Sequence, residues 1–512
     1  MEPPGGGPSV PAAVIFFLAA MVVEQTFVVS QVDMTRLYKE TLVTVVNGQL
    51  PGPTIEVTEG DSVSVHVVNK HGVKQRLNCW ADGVPMITQR PILPNHNFTY
   101  SFNITEQEGT LWWHAHVPGL RATLHGALII RPRHGAEYLF PGPYREVPII
   151  IGAVEDGFVM EVELGKAYLL RIINAALFIE YYFKIAGHKF TVVASDANYI
   201  NPYETDVIAI APGETVDALV VADARPGRYY MVALPNQPPK PSFQSPEYVT
   251  RGMAQYRNMH MPASDTSLCH PRLPPVPTQV DEHLFITLGL GSICSSVATM
   301  NNVSLELPVV TTPLLEAHYY NTSGMANKLI EIPERLPRMF NFTDRALIPE
   351  GPEAARLEST SKATLVRWFR HGAVVEMVLQ STAVLQSESN PMHLHGHDMF
   401  VLARGLGNYD AARDVARYNL LNPPVKNTVL VPSLGWVAVR FVADNPGVWY
   451  MHCHYEFHLS MGMTALIIVE DGPTVDTSLP PPPADFRSCI TDGDILQDEF
   501  YFQSKKSEIS RV

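Results

Sequence analysis

Residues 447–463 read GVWYMHCHYEFHLSMGM, and their first eight return twice in altered form. GTLWWHAH begins at Gly109 and GRYYMVA at Gly227; set in register, Trp112, Tyr230 and Tyr450 coincide. The second and third copies are preceded by ADARP and VADNP. Upstream, each unit has a second matched strand, starting at Gly60, Gly165 and Gly372 and running into a glycine at Gly72, Gly187 and Gly396. Alternating runs such as DSVSVHVVN, AYLLRIIN, VVEMVLQ and WVAVRFVAD fill the intervals, bounded by Gly, Pro and Asn clusters. Period two over short runs is the pattern of half-buried strands, and long helical periodicity is absent. The chain therefore reads as all-β, three copies of one antiparallel β-sandwich unit.

The length fits this division, since 512 residues exceed what one core holds and suggest about three domains. Hydrophobic residues at 46% with 17% charged describe a folded protein, and a formal charge of -14 disfavours nucleic acid and anionic membrane as partners. VPAAVIFFLAAMVV at 10–23 is long enough for a signal-peptide core and short for a membrane span, so residues 1–23 are expected to be a leader, with an N-terminal anchor as the alternative. Sequons at Asn97, Asn103, Asn302, Asn321 and Asn341 agree with a secretory route. Of the five cysteines, Cys453 stands apart between His452 and His454; Cys269 with Cys294, and Cys79 with Cys489, are available as pairs. The Pro-rich stretches NQPPKPSFQSP, PRLPPVPTQ and LPPPPADF read as linkers and exits.

Chemistry concentrates in the histidines. Nineteen scattered at random would give about 0.7 His-x-His pairs, and the chain has four: His114/His116, His393/His395, His395/His397 and His452/His454. Residues two apart on a strand share a face, so each pair can offer two imidazoles to one metal cluster. In HCHYEFHLSMGM, Cys453, His458 and Met463 supply a thiolate, an imidazole and a soft thioether, a blue-copper donor set once a second imidazole is added. His452 and His454 must face away from Cys453 if the segment is extended, so this one cysteine joins two metal sites. Zinc would explain His and Cys but not this interleaving or the trailing Met.

GTLWWHAH, PMHLHGH and HCHYEFHLSMGM together resemble the copper motifs of the multicopper oxidases, and of plant laccases most closely, over residues 26 to 489. The resemblance implies three cupredoxin-like Greek-key β-sandwich domains: 24–140, shortened near 69–71; 141–275, without copper ligands; and 336–490, with the mononuclear site. Residues 276–335 would be a linker with extra strands, and 491–512 a tail. It also implies up to four coppers, with Cys453, His458 and Met463 on the mononuclear one. His71, His114, His116, His395, His452 and His454 would hold a pair, and His393 the third copper of a trinuclear cluster. The implied reaction is one-electron oxidation of diphenols or lignin precursors, entering at His458, coupled to reduction of dioxygen to water. The protein would be secreted to the cell wall, monomeric and without stable membrane insertion. Asp82, in WADG, either passes protons to reduced oxygen or serves as a turn residue before Gly83.

Two positions depart from the family pattern. At the third motif, Asn390 stands where His is expected for the mononuclear copper, and an amide is a poorer copper ligand. His397 is a candidate to replace it, although strand parity would send it towards His393 and His395. In the first unit, Gly60 to Gly72 spans 12 residues, against 22 from Gly165 to Gly187 and 24 from Gly372 to Gly396. About ten residues are missing, Asn69 sits where a third-copper ligand belongs, and residues 61–75 are expected to follow a strained path or leave an edge unpaired. An impaired enzyme, a gapped sequence of an intact one, and a non-catalytic cupredoxin-like cell-wall protein all fit these losses. Ascorbate oxidase is the alternative within the same class.

Overall fold

Val63, Val65 and Val67 are buried while Ser62, Ser64 and His66 turn outward, and this pleat runs through the first domain's core. In this computed structural model the described residues are 21–36, 39–68, 78–92, 96–152, 158–236, 275–292, 296–307, 312–321, 329–334, 341, 343, 360–382, 389–483 and 486. His71, Asn69, Gly72, Cys269, Cys294, Cys489, the leader through residue 20 and the tail 491–512 lie outside them. Met21 to Val23, expected as the leader's end, are described; Val22 and Val23 pair with Ser62 and Val63.

About half the chain is strand and 8% helix. In the first domain, Lys39–Val46, Val22–Arg36, Ser62–Val68 and Phe98–Asn103 form one sheet, and Ile55–Thr58, His125–Arg131 and Gly109–His114 the facing one. Phe27, Val65, Phe102, Trp113 and Leu128 meet between them. The second domain stacks a five-stranded sheet centred on Thr215–Val221 against a three-stranded one centred on Tyr181–Ile185. In the third, one continuous hydrogen-bonded path of strands wraps the largest core, which includes Trp449, Phe441 and Met392.

The repeat glycines share a conformation. Gly60, Gly165 and Gly372 lie at φ +97°, +79° and +81°, and Gly109 and Gly447 at +132° and +134°, all positions where a side chain would be strained. The middle copy diverges, since Tyr230 is 83% exposed where Trp112 and Tyr450 are buried.

Three expectations change. The sheets are mixed rather than antiparallel: Ser62–Val68 runs parallel to Val22–Val28, Ile55–Thr58 to His125–Arg131, and Val366–Phe369 to Leu466–Val469. Each parallel pair joins strands separated by a long stretch of chain, as a crossover connection requires. Of residues 61–75, 69–75 lie outside the described residues; the strand Ser62–Val68 is no unpaired edge, because Phe98–Asn103 pairs with it on the other side. Finally, the described residues of LPPPPADF pack back on the first domain: Trp80 donates from Nε1 to the Pro480 carbonyl (2.8 Å), and Phe486 meets the Trp80 ring edge-on at 4.8 Å.

Candidate metal centre

Asn390–Leu394 lies between Thr428–Val431 and Gly447–Cys453, with Met392 opposite Cys453 and His393 opposite His452. Side chains opposite one another share a face. Cys453 and Met392 therefore face one way and His393 and His452 the other, so two adjacent strands sort donors into two sites. His114 and His116 reach the second face from the first domain, and Trp112 lies 4.3 Å from the His114 ring.

Six histidine rings gather there. His116, His395 and His452 present nitrogens that lie within 4.8 Å of one another. His395 Nε2 and His452 Nε2 are 3.2 Å apart. His114, His393 and His454 complete the group, with ring centroids 5.5 to 5.8 Å from His454 for the first two. A cavity of about 60 Å³ is lined by five of these rings and by Asp82.

Hydrogen bonds fix the ring orientations. Nδ1 meets the Ala115 carbonyl at His114 (3.1 Å), the Asn427 carbonyl at His393 (3.0 Å), the Asp82 carboxylate at His395 (2.8 Å) and the Cys453 carbonyl at His452 (2.9 Å). Each partner is an acceptor, so Nδ1 carries the proton and Nε2 keeps its lone pair for a metal. Burial holds His114, His452 and His454 well below the usual histidine range, helped by the Arg121 charge at His114 and His454 and by His395 at His452. Two Nε2 lone pairs 3.2 Å apart repel unless a cation lies between them; donors on one ion at ~2.0 Å and a tetrahedral angle stand about 3.3 Å apart. The donor set fits copper bound by imidazole.

His454 is the exception. Its Nδ1 takes a hydrogen bond from the Arg121 guanidinium (2.8 Å), which can only donate, so the neutral ring carries its proton on Nε2. Arg121 is fully buried, also donates to the His454 carbonyl (2.9 Å), and pairs with Glu456 at 3.3 Å. Gly213, at φ +90°, lies against the other side of this ring, where an added Cβ would come within 2.7 Å of Cγ. Neither Arg121 nor Gly213 stands out in the sequence, since each meets His454 across a domain boundary and belongs to no repeated motif.

On the opposite face, Cys453 Sγ is 3.4 Å from His458 Nδ1, and the Cys453 amide donates to the Met463 carbonyl (3.2 Å). Asn390 directs Oδ1 at this sulfur from 3.9 Å. His397 supplies no missing imidazole: its Nδ1 meets the His395 carbonyl and its ring packs near Phe441 and Trp449. It also misses the cluster that parity assigned it. Among the described residues, the donors around Cys453 thus lack one imidazole of the expected set. Asp82 is more than a turn residue, with one carboxylate oxygen on His395 and a place in the cavity wall. Cys79 is a buried thiol donating to the Val448 carbonyl (3.1 Å).

Family profiles described as multicopper oxidase match residues 28–135, 108–254 and 331–473. Laccase-15 of Oryza sativa subsp. japonica is 57% identical, covering 94% of this chain and 95% of its own. Laccase-9 of Arabidopsis thaliana is 42% identical over 93% and 94%. The chain belongs to the multicopper oxidases and, within them, to the plant laccases, whose metal is copper and which in general use dioxygen and phenolic substrates. The match to Laccase-15 runs over 577 positions, more than the 512 residues present, so internal segments of that relative have no counterpart here. Among solved structures, the fold matches Fet3p, a multicopper oxidase that functions in iron import (TM-score 0.69, 20% identity, 88% and 90% covered). It also matches the laccase of Botrytis aclada (0.64, 23%, 90% and 89%).

Proposed function

We propose that the chain is a secreted laccase-type oxidase that takes electrons singly from diphenols or lignin precursors and delivers them to dioxygen, with copper binding weakened at two positions. The observation that carries this is the double engagement of residues 452 and 453. Cys453 Sγ faces His458, while the Cys453 carbonyl accepts from His452 Nδ1, whose Nε2 meets His395. One peptide therefore spans both sites.

Copper, when bound, supplies one-electron chemistry at the mononuclear site and dioxygen reduction at the cluster. The protein's residues position and shield that chemistry. His458 is 5% exposed and its chain neighbour Phe457 is 61% exposed, so a phenol resting on this surface would lie close to the imidazole edge. Asp82 orients His395 and, lining the cavity, can hold a proton for reduced oxygen. His114, His116, His393, His395 and His452 would hold the cluster, with His71 as a further ligand; His454 would join them only by exchanging its Arg121 contact for a proton on Nδ1, which frees Nε2. Four sequon asparagines are exposed and Asn302 is half-buried, which supports a secretory route to the cell wall. Among the described residues no helix is long and apolar enough to cross a membrane. We read the protein as a monomer.

The test is expression of the full chain with copper, followed by oxygen uptake on adding a diphenol and a copper count against Cys453→Ser. Oxygen consumption at four phenols oxidised per dioxygen, lost in Cys453→Ser, is expected. Absence of uptake, with copper bound, would favour a partly loaded, non-catalytic cell-wall protein, the reading that the Asn390 side chain at Cys453 supports.

A further inference from the structure

The face of Cys453 carries mostly soft donors. Cys453 Sγ and His458 Nδ1 are 3.4 Å apart, Met463 is bound to both through its backbone (its carbonyl to the Cys453 amide, its amide to the His458 carbonyl), and Met392 stands opposite Cys453 in register. All four are nearly inaccessible, at 5% exposure or less. The remaining polar group, Asn390, offers a neutral amide oxygen at 3.9 Å from the sulfur. Among the described residues, the two nearest candidates for a replacement donor are engaged elsewhere. His397 is packed near Phe441 and Trp449, and the Ser389 hydroxyl is engaged by Glu180 and by Tyr455 (3.2 Å).

Thiolate and thioether ligands select Cu(I), whereas Cu(II) needs nitrogen or oxygen donors to complete a tetragonal set. We propose that replacing imidazole by Asn390 turns this into a site that holds copper as Cu(I) and disfavours Cu(II). This rests on the reading above that Cys453, His458 and Met463 bind the mononuclear copper. A phenol giving up one electron leaves as a phenoxyl radical and a proton, and the copper gains that electron. A site that favours the reduced ion accepts the electron readily and passes it to the cluster, and so to dioxygen, with difficulty. Slow reoxidation, rather than poor substrate binding, would then limit turnover.

The full chain is loaded with copper, purified in air, and its copper counted beside that of Cys453→Ser. Visible and EPR spectra are recorded before and after adding hexachloroiridate as one-electron oxidant. Wild type is expected to hold one copper more than Cys453→Ser, to show little blue thiolate absorption as purified, and to gain it with the oxidant. Asn390→His should show the band without oxidant, shifting the Cu(II)-to-Cu(I) affinity ratio at least tenfold, about 59 mV. Asn390→Ala should behave as wild type, because the amide contributes little, and it keeps the test open if the His variant does not fold. Full absorption and a mononuclear Cu(II) signal in wild type as purified would overturn the inference. Equal copper in wild type and Cys453→Ser would overturn the mononuclear site itself, a failure visible in the count rather than in the spectra.

Discussion

The cluster and the mononuclear site have each lost one element of the family pattern, in different ways. At the cluster the loss is a length of backbone before Gly72, yet six rings from three strand segments still converge, with His395 and His452 nitrogens 3.2 Å apart. At the mononuclear site the backbone is intact, and a single side chain, Asn390, differs. A site assembled from several strands, with five of its six rings held by an Nδ1 partner, keeps its geometry when one contributor goes. A site with few donors has no such redundancy, and its redox preference follows from each atom.

Cys453→Ser should have the largest effect: complete loss of diphenol-driven oxygen uptake and of one copper, with the cluster copper retained. If the cluster copper disappears as well, the two sites are not separable and the comparison fails. Asp82→Asn keeps the shape of the carboxyl group but not its charge at His395 Nδ1. Copper affinity at the cluster should fall about 10- to 100-fold, with mononuclear copper unchanged, as competition with a chelator would measure.

The copper-free protein should show a smaller, graded effect in acid. His114, His452 and His454 are held neutral when folded, so the unfolded chain takes up protons first, below its ordinary value of about 6.5. Stability is then undiminished above that pH and declines below it, by roughly 1.4 kcal/mol per pH unit for each ring. Copper excludes the protons and should move the decline to lower pH. Denaturant midpoints between pH 7 and 5 that stay flat without copper would contradict buried neutral rings. The smallest change is expected from His397→Leu, which should leave the copper count untouched and cost about 1 kcal/mol in packing; a lost copper would return His397 to the ligand set.

Much of this arrangement is legible in the residues. Parity along GVWYMHCH separates Cys453 from His452 and His454, and the repeat glycines mark turns that recur at similar φ. Parity fails at His397 because the strand ends at Leu394 and Gly396 turns at φ +69°, which sends the next side chain into the core. Arg121 and Gly213 were illegible for another reason. Their partner His454 lies 333 residues from Arg121, in a different domain, and no local pattern encodes a contact across folded units. The same holds for the Pro-rich tail, whose composition suggests an exit and whose path depends on Trp80.

That tail changes what the shortened first unit does to Asp82. The segment from Cys79 to Asp82 follows closely on the residues where the chain is short, and local backbone alone would tie its position to them. It is anchored instead from the far end of the sequence: the Cys79 thiol to Val448, the Trp80 indole to Pro480, and the Trp80 ring to Phe486. The last part of the chain thus acts as a splint, setting a carboxylate beside the cluster by a route that bypasses the missing residues.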